Sequence, residues 1–136
     1  MFPVKVNALA QSLGRSGRLM IVDDSNIMRR RIERSQQFED LEVVGTAADG
    51  VEAVELFKRT DPDLVTMDIT MPHMDGIECI AQLVALKPAV RILVVSALAD
   101  KATAVEAMEK GANGFLNKPF TDRQLNEALA ELLHGA

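Results

Sequence analysis

The 136-residue chain has no tryptophan, no tyrosine and one cysteine, and it lacks a long apolar run. The single thiol, Cys79, excludes an internal disulfide and is typical of a reducing compartment. No segment approaches the roughly 18 apolar residues of a membrane span. Asn7, Gln11 and Ser12 interrupt what would be the apolar region of a signal peptide. We therefore predict a cytoplasmic protein that has no membrane partner.

Positive charge is also scarce, because 15 lysines and arginines stand against 20 aspartates and glutamates, a formal charge of −5. This balance argues against nucleic acid as a direct partner, since phosphate contacts need clustered lysine and arginine. The one basic block is Arg29-Arg30-Arg31 with Arg34. On a helix these side chains point in several directions, so we interpret the block as a solvated face.

Apolar runs and helical patterns alternate along the chain with short connections. Strands are predicted near 18–23, 43–47, 63–68, 91–95 and 114–117, and helices near 26–37, 50–59, after 72, 100–110 and from 121 onward. Two capping-box spacings, Asp49 with Glu52 and Thr121 with Gln124, mark helix starts. Such alternation implies a parallel sheet with helices on both faces. We predict one doubly wound α/β domain over 18–136, with five strands and five helices.

Residues 1–17 form a leader ahead of the first predicted strand. Val6, Leu9, Ala10 and Leu13 fall at helical spacing, but the stretch is too short to be a stable helix alone. We predict that the leader is disordered. Docking of the leader on the domain or on a partner is the alternative.

Polar side chains stand at the carboxyl ends of four predicted strands. They are Asp23 with Asp24, Asp68, Ser96 and Lys118. Each is ambiguous alone, because an acidic residue before a helix is often only a cap. The separations, however, fit whole βα crossovers, and ligands of open parallel sheets bind outside the carboxyl ends of the strands. The pattern therefore predicts that these side chains meet in one crevice.

The residue types in this crevice indicate phosphoryl chemistry. Each pair of clustered carboxylates repels by on the order of 3 kcal/mol at about 5 Å, so a cation is expected to neutralise them. Oxygen ligands without histidine or paired cysteine select Mg²⁺ or a similarly hard ion. The ammonium of Lys118 suits a phosphoryl oxygen. An aspartate flanked by a metal and a lysine can attack phosphorus, which predicts an aspartyl-phosphate.

Four ordered segments resemble the landmarks of response-regulator receiver domains, most closely the stand-alone chemotaxis-type receivers. The segments are Ile21-Val22-Asp23-Asp24-Ser25, Met67 to Gly76, Val95-Ser96-Ala97 and Asn117-Lys118-Pro119-Phe120. The resemblance covers about residues 18–133. It implies a flavodoxin-like sheet of strand order 2-1-3-4-5, an order that we take from the family.

The resemblance also implies which residues accept the phosphoryl group and hold the metal. Asp68 would be the phosphoacceptor. Asp23 and Asp24 would be the acidic pair that holds Mg²⁺, with Asp68 itself and the backbone carbonyl of Ile69 as further ligands.

Three more residues take roles by the same resemblance. Ser96 would hydrogen-bond the phosphoryl group, Lys118 would pair with it, and Phe115 would be the aromatic switch residue. The Lys118-Pro119 peptide bond is expected to be cis.

The implied function is that of a single-domain response regulator. It would accept a phosphoryl group from a phosphohistidine on a sensor kinase or phosphotransfer protein, and signal by phosphorylation-dependent binding of an unidentified protein target. It would catalyse only its own phosphorylation and dephosphorylation. One alternative is a phosphate sink or shuttle without a dedicated target. Another is a Mg²⁺-dependent phosphatase of the haloacid-dehalogenase type, which needs a second aspartate where this chain has Thr70. A degenerate receiver is disfavoured because every site position is filled.

Overall fold

The computed structural model describes residues 17–71, 74–97 and 100–134. In that part of the chain five strands alternate with five helices. The strands are β1 Gly17–Val22, β2 Leu41–Ala47, β3 Leu64–Met67, β4 Arg91–Ser96 and β5 Gly114–Asn117. The helices are α1 Asn26–Ser35, α2 Gly50–Thr60, α3 Gly76–Leu86, α4 Lys101–Glu109 and α5 Asp122–His134. All ten predicted elements are confirmed, with bounds that shift by a few residues.

The largest shifts lie at three element ends. Relative to the prediction, β2 begins two residues earlier, α1 ends two residues earlier, and α3 begins only at Gly76. The leader lies outside the described residues except for Gly17, which is the first residue of β1, so its disorder stays a prediction.

The sheet is parallel throughout and has the order β2-β1-β3-β4-β5, which confirms the predicted doubly wound fold. The chain passes from β1 outward to β2, and then returns to the other side of β1 for β3. The strand order therefore reverses between β1 and β3. In open sheets of this kind, the crevice at the carboxyl ends of the strands next to that reversal is the usual ligand site.

Strand side chains alternate between two cores, as the pleat requires. Met20 and Val22 lie in the core beneath α2, α3 and α4, whereas Leu19 and Ile21 lie in the core beneath α1 and α5. Cys79 belongs to the first core, and burial raises the pKa of its thiol to about 12. Among the described helices, none combines the length and apolar character that crossing a bilayer requires.

The two predicted capping boxes differ in detail. At α5 the box is reciprocal, because Gln124 N–H donates to Thr121 Oγ1 at 3.0 Å and Thr121 N–H donates to Gln124 Oε1 at 2.8 Å. At α2, Glu52 N–H donates to Asp49 Oδ1 at 2.8 Å, but the Glu52 carboxylate accepts from Ala48 N–H at 2.7 Å. Both helices thus begin where the sequence predicted.

Candidate functional site

Two neighbouring strands bring the candidate carboxylates together. Val22 pairs with Met67 in the register of β1 and β3, and each is followed directly by an aspartate. Asp68 N–H donates to the Val22 carbonyl at 2.9 Å, which continues the ladder past the end of β3. As a result, one carboxylate oxygen from each of Asp23, Asp24 and Asp68 lies within 4.8 Å of the other two. The structure therefore contains the predicted cluster.

The three carboxylates differ in exposure. Asp23 is 1% exposed and Asp68 is 5% exposed, whereas Asp24 lies open to solvent. Asp23 is held from two sides, because its Oδ1 accepts from Ser25 N–H at 2.9 Å and its Oδ2 accepts from Lys118 Nζ at 2.7 Å. A buried carboxylate with both oxygens bonded has a fixed orientation. Asp23 is thus the rigid member of the cluster.

Lys118 directly follows β5 and closes one side of the cluster. Its N–H donates to the Ser96 carbonyl at 2.9 Å, which ties the lysine to the end of β4. Its Nζ lies 2.7 Å from Asp23 Oδ2 and 3.9 Å from Asp68 Oδ2. The ammonium is therefore bound chiefly to Asp23 in this state and is within reach of Asp68. The Lys118-Pro119 peptide bond is cis, as expected.

The environment of Asp68 opposes its ionisation. Burial is the main cause that raises the pKa of Asp68 from 3.8 to about 6, and the neighbouring charges of Asp23 and Asp24 act in the same direction. The positive charge of Lys118 and the N–H of Thr70 act against this rise. At pH 7 the carboxylate is still mostly ionised. It is poorly solvated and is available as a nucleophile.

Ser96 and Phe115 both face the core beneath α2, α3 and α4. Phe115 pairs with Val94 in the register of β4 and β5 and packs against that core while half-buried. Ser96 stands two residues beyond Val94, so its side chain is on the same face, and it is fully buried. The structure places the predicted hydroxyl and aromatic on the adjacent strands β4 and β5.

The carbonyl of Ile69 has a different partner from the expected metal ion. It accepts a hydrogen bond from Gly76 N–H at 3.1 Å. A Cβ on Gly76 would collide with the Asp68 carbonyl oxygen and with Ile69 Cα, so only glycine allows this close approach. The contact directs the Ile69 carbonyl toward the start of α3. The carbonyl oxygen has a second lone pair, so Ile69 as a metal ligand stays a prediction. Thr70, the next residue, is exposed beside the cluster.

Two arginines of α1 contact the site loops, and sequence reasoning missed both. Arg29 Nη1 donates to the Asp23 carbonyl at 2.6 Å, and Arg31 Nη2 donates to the Phe120 carbonyl at 2.5 Å. The solvated-face interpretation is thus wrong for these two residues, although Arg30 and Arg34 are exposed. No local pattern could have revealed the second contact, because its partners are 89 residues apart.

The donor set fits a hard divalent cation. Asp23, Asp24 and Asp68 offer only oxygen atoms, and neither histidine nor cysteine belongs to the cluster that the described residues form. Mg²⁺ is commonly held by one or two carboxylates together with water and phosphate oxygens. Two of the carboxylates are buried together, which is costly without a compensating cation. The residues present are therefore compatible with Mg²⁺.

Comparisons with known proteins agree with this geometry. The family model described as the response regulator receiver domain matches residues 19–130. The chain is 43% identical over 112 residues to the chemotaxis protein CheY of Listeria monocytogenes, which covers 82% of this chain and 94% of that protein. The identity to CheY of Thermotoga maritima is also 43%, with 82% and 93% covered. A structure described as the CheX-CheY-BeF3-Mg complex from Borrelia burgdorferi matches with a TM-score of 0.81 and 32% identity, covering 88% of this chain and 90% of that one.

Proposed function

The chain belongs to the response regulator receiver domain family, and from this membership we propose that it accepts a phosphoryl group on Asp68. One observation carries the proposal: Asp68 is a buried carboxylate within 4.8 Å of two others, with Lys118 Nζ at 3.9 Å. A carboxylate in these surroundings is a candidate nucleophile toward phosphorus. Asp23 and Asp24 carry the charge that a cation would balance. Asp23 also holds the Lys118 ammonium at 2.7 Å, which keeps this ammonium within reach of Asp68.

The transfer step follows from the position of Asp68. A carboxylate oxygen of Asp68 attacks the phosphorus of a phosphohistidine, and an O–P bond forms as the N–P bond of the donor breaks. The imidazole of the donor leaves with the electron pair of that bond. Lys118 is bound to Asp23 before transfer, and its Nζ needs to move only a short way to meet a phosphoryl oxygen. A positioned cation stabilises charge that develops on the transferred group.

Asp23, Asp24 and Asp68 are the residues that would hold Mg²⁺. The ion, when bound, neutralises the clustered carboxylates and stabilises charge on the phosphoryl oxygens. The backbone carbonyl of Ile69, which accepts one hydrogen bond from Gly76 N–H at 3.1 Å, is the further ligand that we propose.

The phosphoryl group then acts on the surface of the domain through Ser96 and Phe115. Ser96 would move toward the phosphoryl group and donate its hydroxyl to a phosphoryl oxygen. Phe115 would then rotate into the space that Ser96 leaves. The partners that we propose are proteins: a sensor kinase or phosphotransfer protein as donor, and a target that reads the altered surface. Receiver domains as a family are signalling modules, and we propose that this one catalyses only its own phosphorylation and dephosphorylation.

Phosphorylation by a small donor tests the proposal. Incubation with acetyl phosphate and MgCl₂ should add one phosphoryl group per chain by intact mass, and EDTA should prevent the addition. Asp68→Asn should accept none. Asp40→Asn is the matched control, because Asp40 precedes β2 at the opposite edge of the sheet, and it should be labelled like the wild type. Full labelling of Asp68→Asn, or labelling in EDTA, would contradict the proposal.

A further inference from the structure

Helix α1 carries four arginines, and two of them reach main-chain carbonyls on the two loops that hold the site. Arg29 bonds the loop after β1, and Arg31 bonds the loop after β5. Arg30 and Arg34 are exposed, and their side chains make no hydrogen bond or ion pair within the described part of the chain. The four side chains are therefore not equivalent. Arg29 and Arg31 each donate to a main-chain carbonyl of a loop that holds the site, whereas Arg30 and Arg34 do not.

Arg29 fixes the loop that carries the acidic pair. Its Nη1 donates to the Asp23 carbonyl at 2.6 Å, and its Nη2 donates to Asn26 Oδ1 at 3.3 Å in the first turn of α1. The Asp23 carbonyl belongs to the peptide bond that joins Asp23 to Asp24. A rotation of this peptide would redirect the Asp24 carboxylate, so Arg29 restrains the orientation of one of the three candidate ligands.

Arg31 fixes the loop that follows Lys118. Its Nη2 donates to the Phe120 carbonyl at 2.5 Å and lies 3.3 Å from Asp122 Oδ1, and its guanidinium carbon lies 4.4 Å from the centroid of the Phe120 ring. Phe120 is only 4% exposed and is two residues after Lys118. Lysine could not reproduce these contacts, because only a planar guanidinium stacks on the ring and donates in its own plane at the same time.

We propose that Arg29 and Arg31 are positioning residues that form an α1 clamp. The clamp sets the loop of Asp23 and the loop of Lys118 at the separation at which the two side chains meet, 2.7 Å from Nζ to Oδ2. Arg29 thereby supports Mg²⁺ binding, and Arg31 supports phosphoryl transfer. This inference rests on the proposed function of Asp68. The proposal assigns a role to two arginines of the basic block, which the charge pattern alone placed on a solvated face.

The experiment compares Arg29→Ala and Arg31→Ala with Arg30→Ala, the matched control on the same helix. The Mg²⁺ dissociation constant is measured by calorimetry in about 1 M KCl, where the Debye length of about 3 Å screens the lost charge of Arg29. We expect Arg29→Ala to weaken Mg²⁺ binding about 10-fold. This is the lower end of the loss in metal affinity that follows when a hydrogen-bond partner of a metal ligand is removed. Arg31→Ala should leave Mg²⁺ affinity within about twofold and slow labelling by acetyl phosphate at saturating Mg²⁺ about 10-fold, as misplaced catalytic groups do.

Conservative variants separate positioning from a general loss of structure. Arg29→Lys can still donate to one carbonyl and should recover most of the Mg²⁺ affinity, whereas Arg31→Lys loses ring stacking and should stay slow. Thermal melts identify any unfolded variant, and Arg31→Lys replaces Arg31→Ala if the latter is unfolded at the assay temperature.

Two results would overturn the clamp: both alanine variants behaving like Arg30→Ala, or tighter Mg²⁺ binding in Arg29→Ala. Failure of the proposed function has a different signature. In that case neither the wild type nor Arg30→Ala would be labelled. The Mg²⁺ dissociation constant of Arg29→Ala, compared with that of Arg30→Ala, would still test whether Arg29 supports metal binding.

Discussion

Burial and neighbouring negative charge act in the same direction on Asp68. The side chain is 5% exposed, and its pKa is raised to about 6, with burial as the largest cause. The folded protein therefore binds more protons than the unfolded chain between pH 3.8 and about 6. Stability from this group is fully present below pH 3.8 and is lost as the pH rises through 6. At neutral pH the ionised carboxylate weakens the metal-free fold, and a bound cation would remove that cost.

Because the ionised Asp68 carboxylate destabilises the metal-free fold, its removal should stabilise the protein. Asp68→Asn replaces the ion by a neutral group that can still accept from Thr70 N–H, so the metal-free variant should be more stable at pH 7 by about 1–3 kcal/mol. The difference should shrink as the pH falls from 6 toward 3.8. The free energy of unfolding from urea titrations at several pH values, with EDTA present, measures it.

Asp24→Asn is the control for this prediction. The Asp24 carboxylate is exposed, so its loss should change the stability of the metal-free protein little while weakening Mg²⁺ binding. A clear loss of stability in Asp68→Asn at pH 7 would show that hydrogen bonds to the ionised form outweigh its desolvation.

At the scale of elements, α5 is fastened to the end of α1 by one buried amide. Asn126 is 0% exposed, and its Nδ2 donates to the Ser35 carbonyl at 2.9 Å and to the Asp122 carbonyl at 2.8 Å. Its Oδ1 accepts from Gln37 N–H at 2.8 Å. The amide therefore connects the segment after α1 with the first turn of α5, beside the apolar contacts of the same helix. A buried polar group whose bonds are all made specifies one docking geometry.

Removal of this amide should be costly. Asn126→Ala leaves the Gln37 N–H and the Ser35 carbonyl without their partner, and we expect a loss of about 2–3 kcal/mol in the free energy of unfolding. Glu127→Ala, on the exposed side of the same turn, removes only a surface ion pair with Arg123 and should cost less than about 0.5 kcal/mol. Chemical denaturation of both variants measures the difference. Equal midpoints would contradict the assigned role of the amide.

At the scale of the whole molecule, we expect the site and the surface of α4 and β5 to be coupled through the sheet. Phosphorylation of Asp68, as proposed above, would add about two negative charges and strong acceptor oxygens at one edge of the sheet. Ser96 and Phe115 face the same core from adjacent strands, so a shift of one changes the space available to the other. A local electrostatic event can in this way bias a packed element with two arrangements. We expect the unphosphorylated protein to sample both arrangements and phosphorylation of Asp68 to shift their populations.

This coupling predicts a separation of chemistry from output. Ser96→Ala and Phe115→Ala should still accept a phosphoryl group on Asp68, but each should lose most of the change in the α4 and β5 amide signals that beryllofluoride with Mg²⁺ induces in the wild type. Heteronuclear NMR spectra with and without beryllofluoride measure this change.

Ser35→Ala is the control for the coupling, since this residue ends α1 on the other face of the sheet, and its response should equal that of the wild type. Wild-type responses in both test variants would show that the signal takes another route.

The sequence by itself determined the parallel α/β class of the fold and the carboxylates and lysine that meet at the site, whereas the strand order came from the family resemblance. Alternation of apolar runs with helical patterns leaves a parallel sheet as the natural solution, because each crossover must return the chain to the same edge. Polar residues placed just after the strands then had to meet, and Asp23, Asp24, Asp68 and Lys118 do so. These features depend on spacing along the chain, and spacing can be read without coordinates.

Only the tertiary structure decided which of these groups are buried and which partner each of them contacts. It showed that Lys118 binds Asp23 more closely than Asp68, and that the Ile69 carbonyl faces Gly76. It also showed that the Arg31 guanidinium donates to the Phe120 carbonyl and stacks on the Phe120 ring. The contacts of Lys118 and Arg31 join segments that lie far apart in the chain, and the packing of those segments decides which partner each side chain meets. Local sequence carries no record of such distances, so pattern alone could place the residues in one crevice but could not assign their contacts.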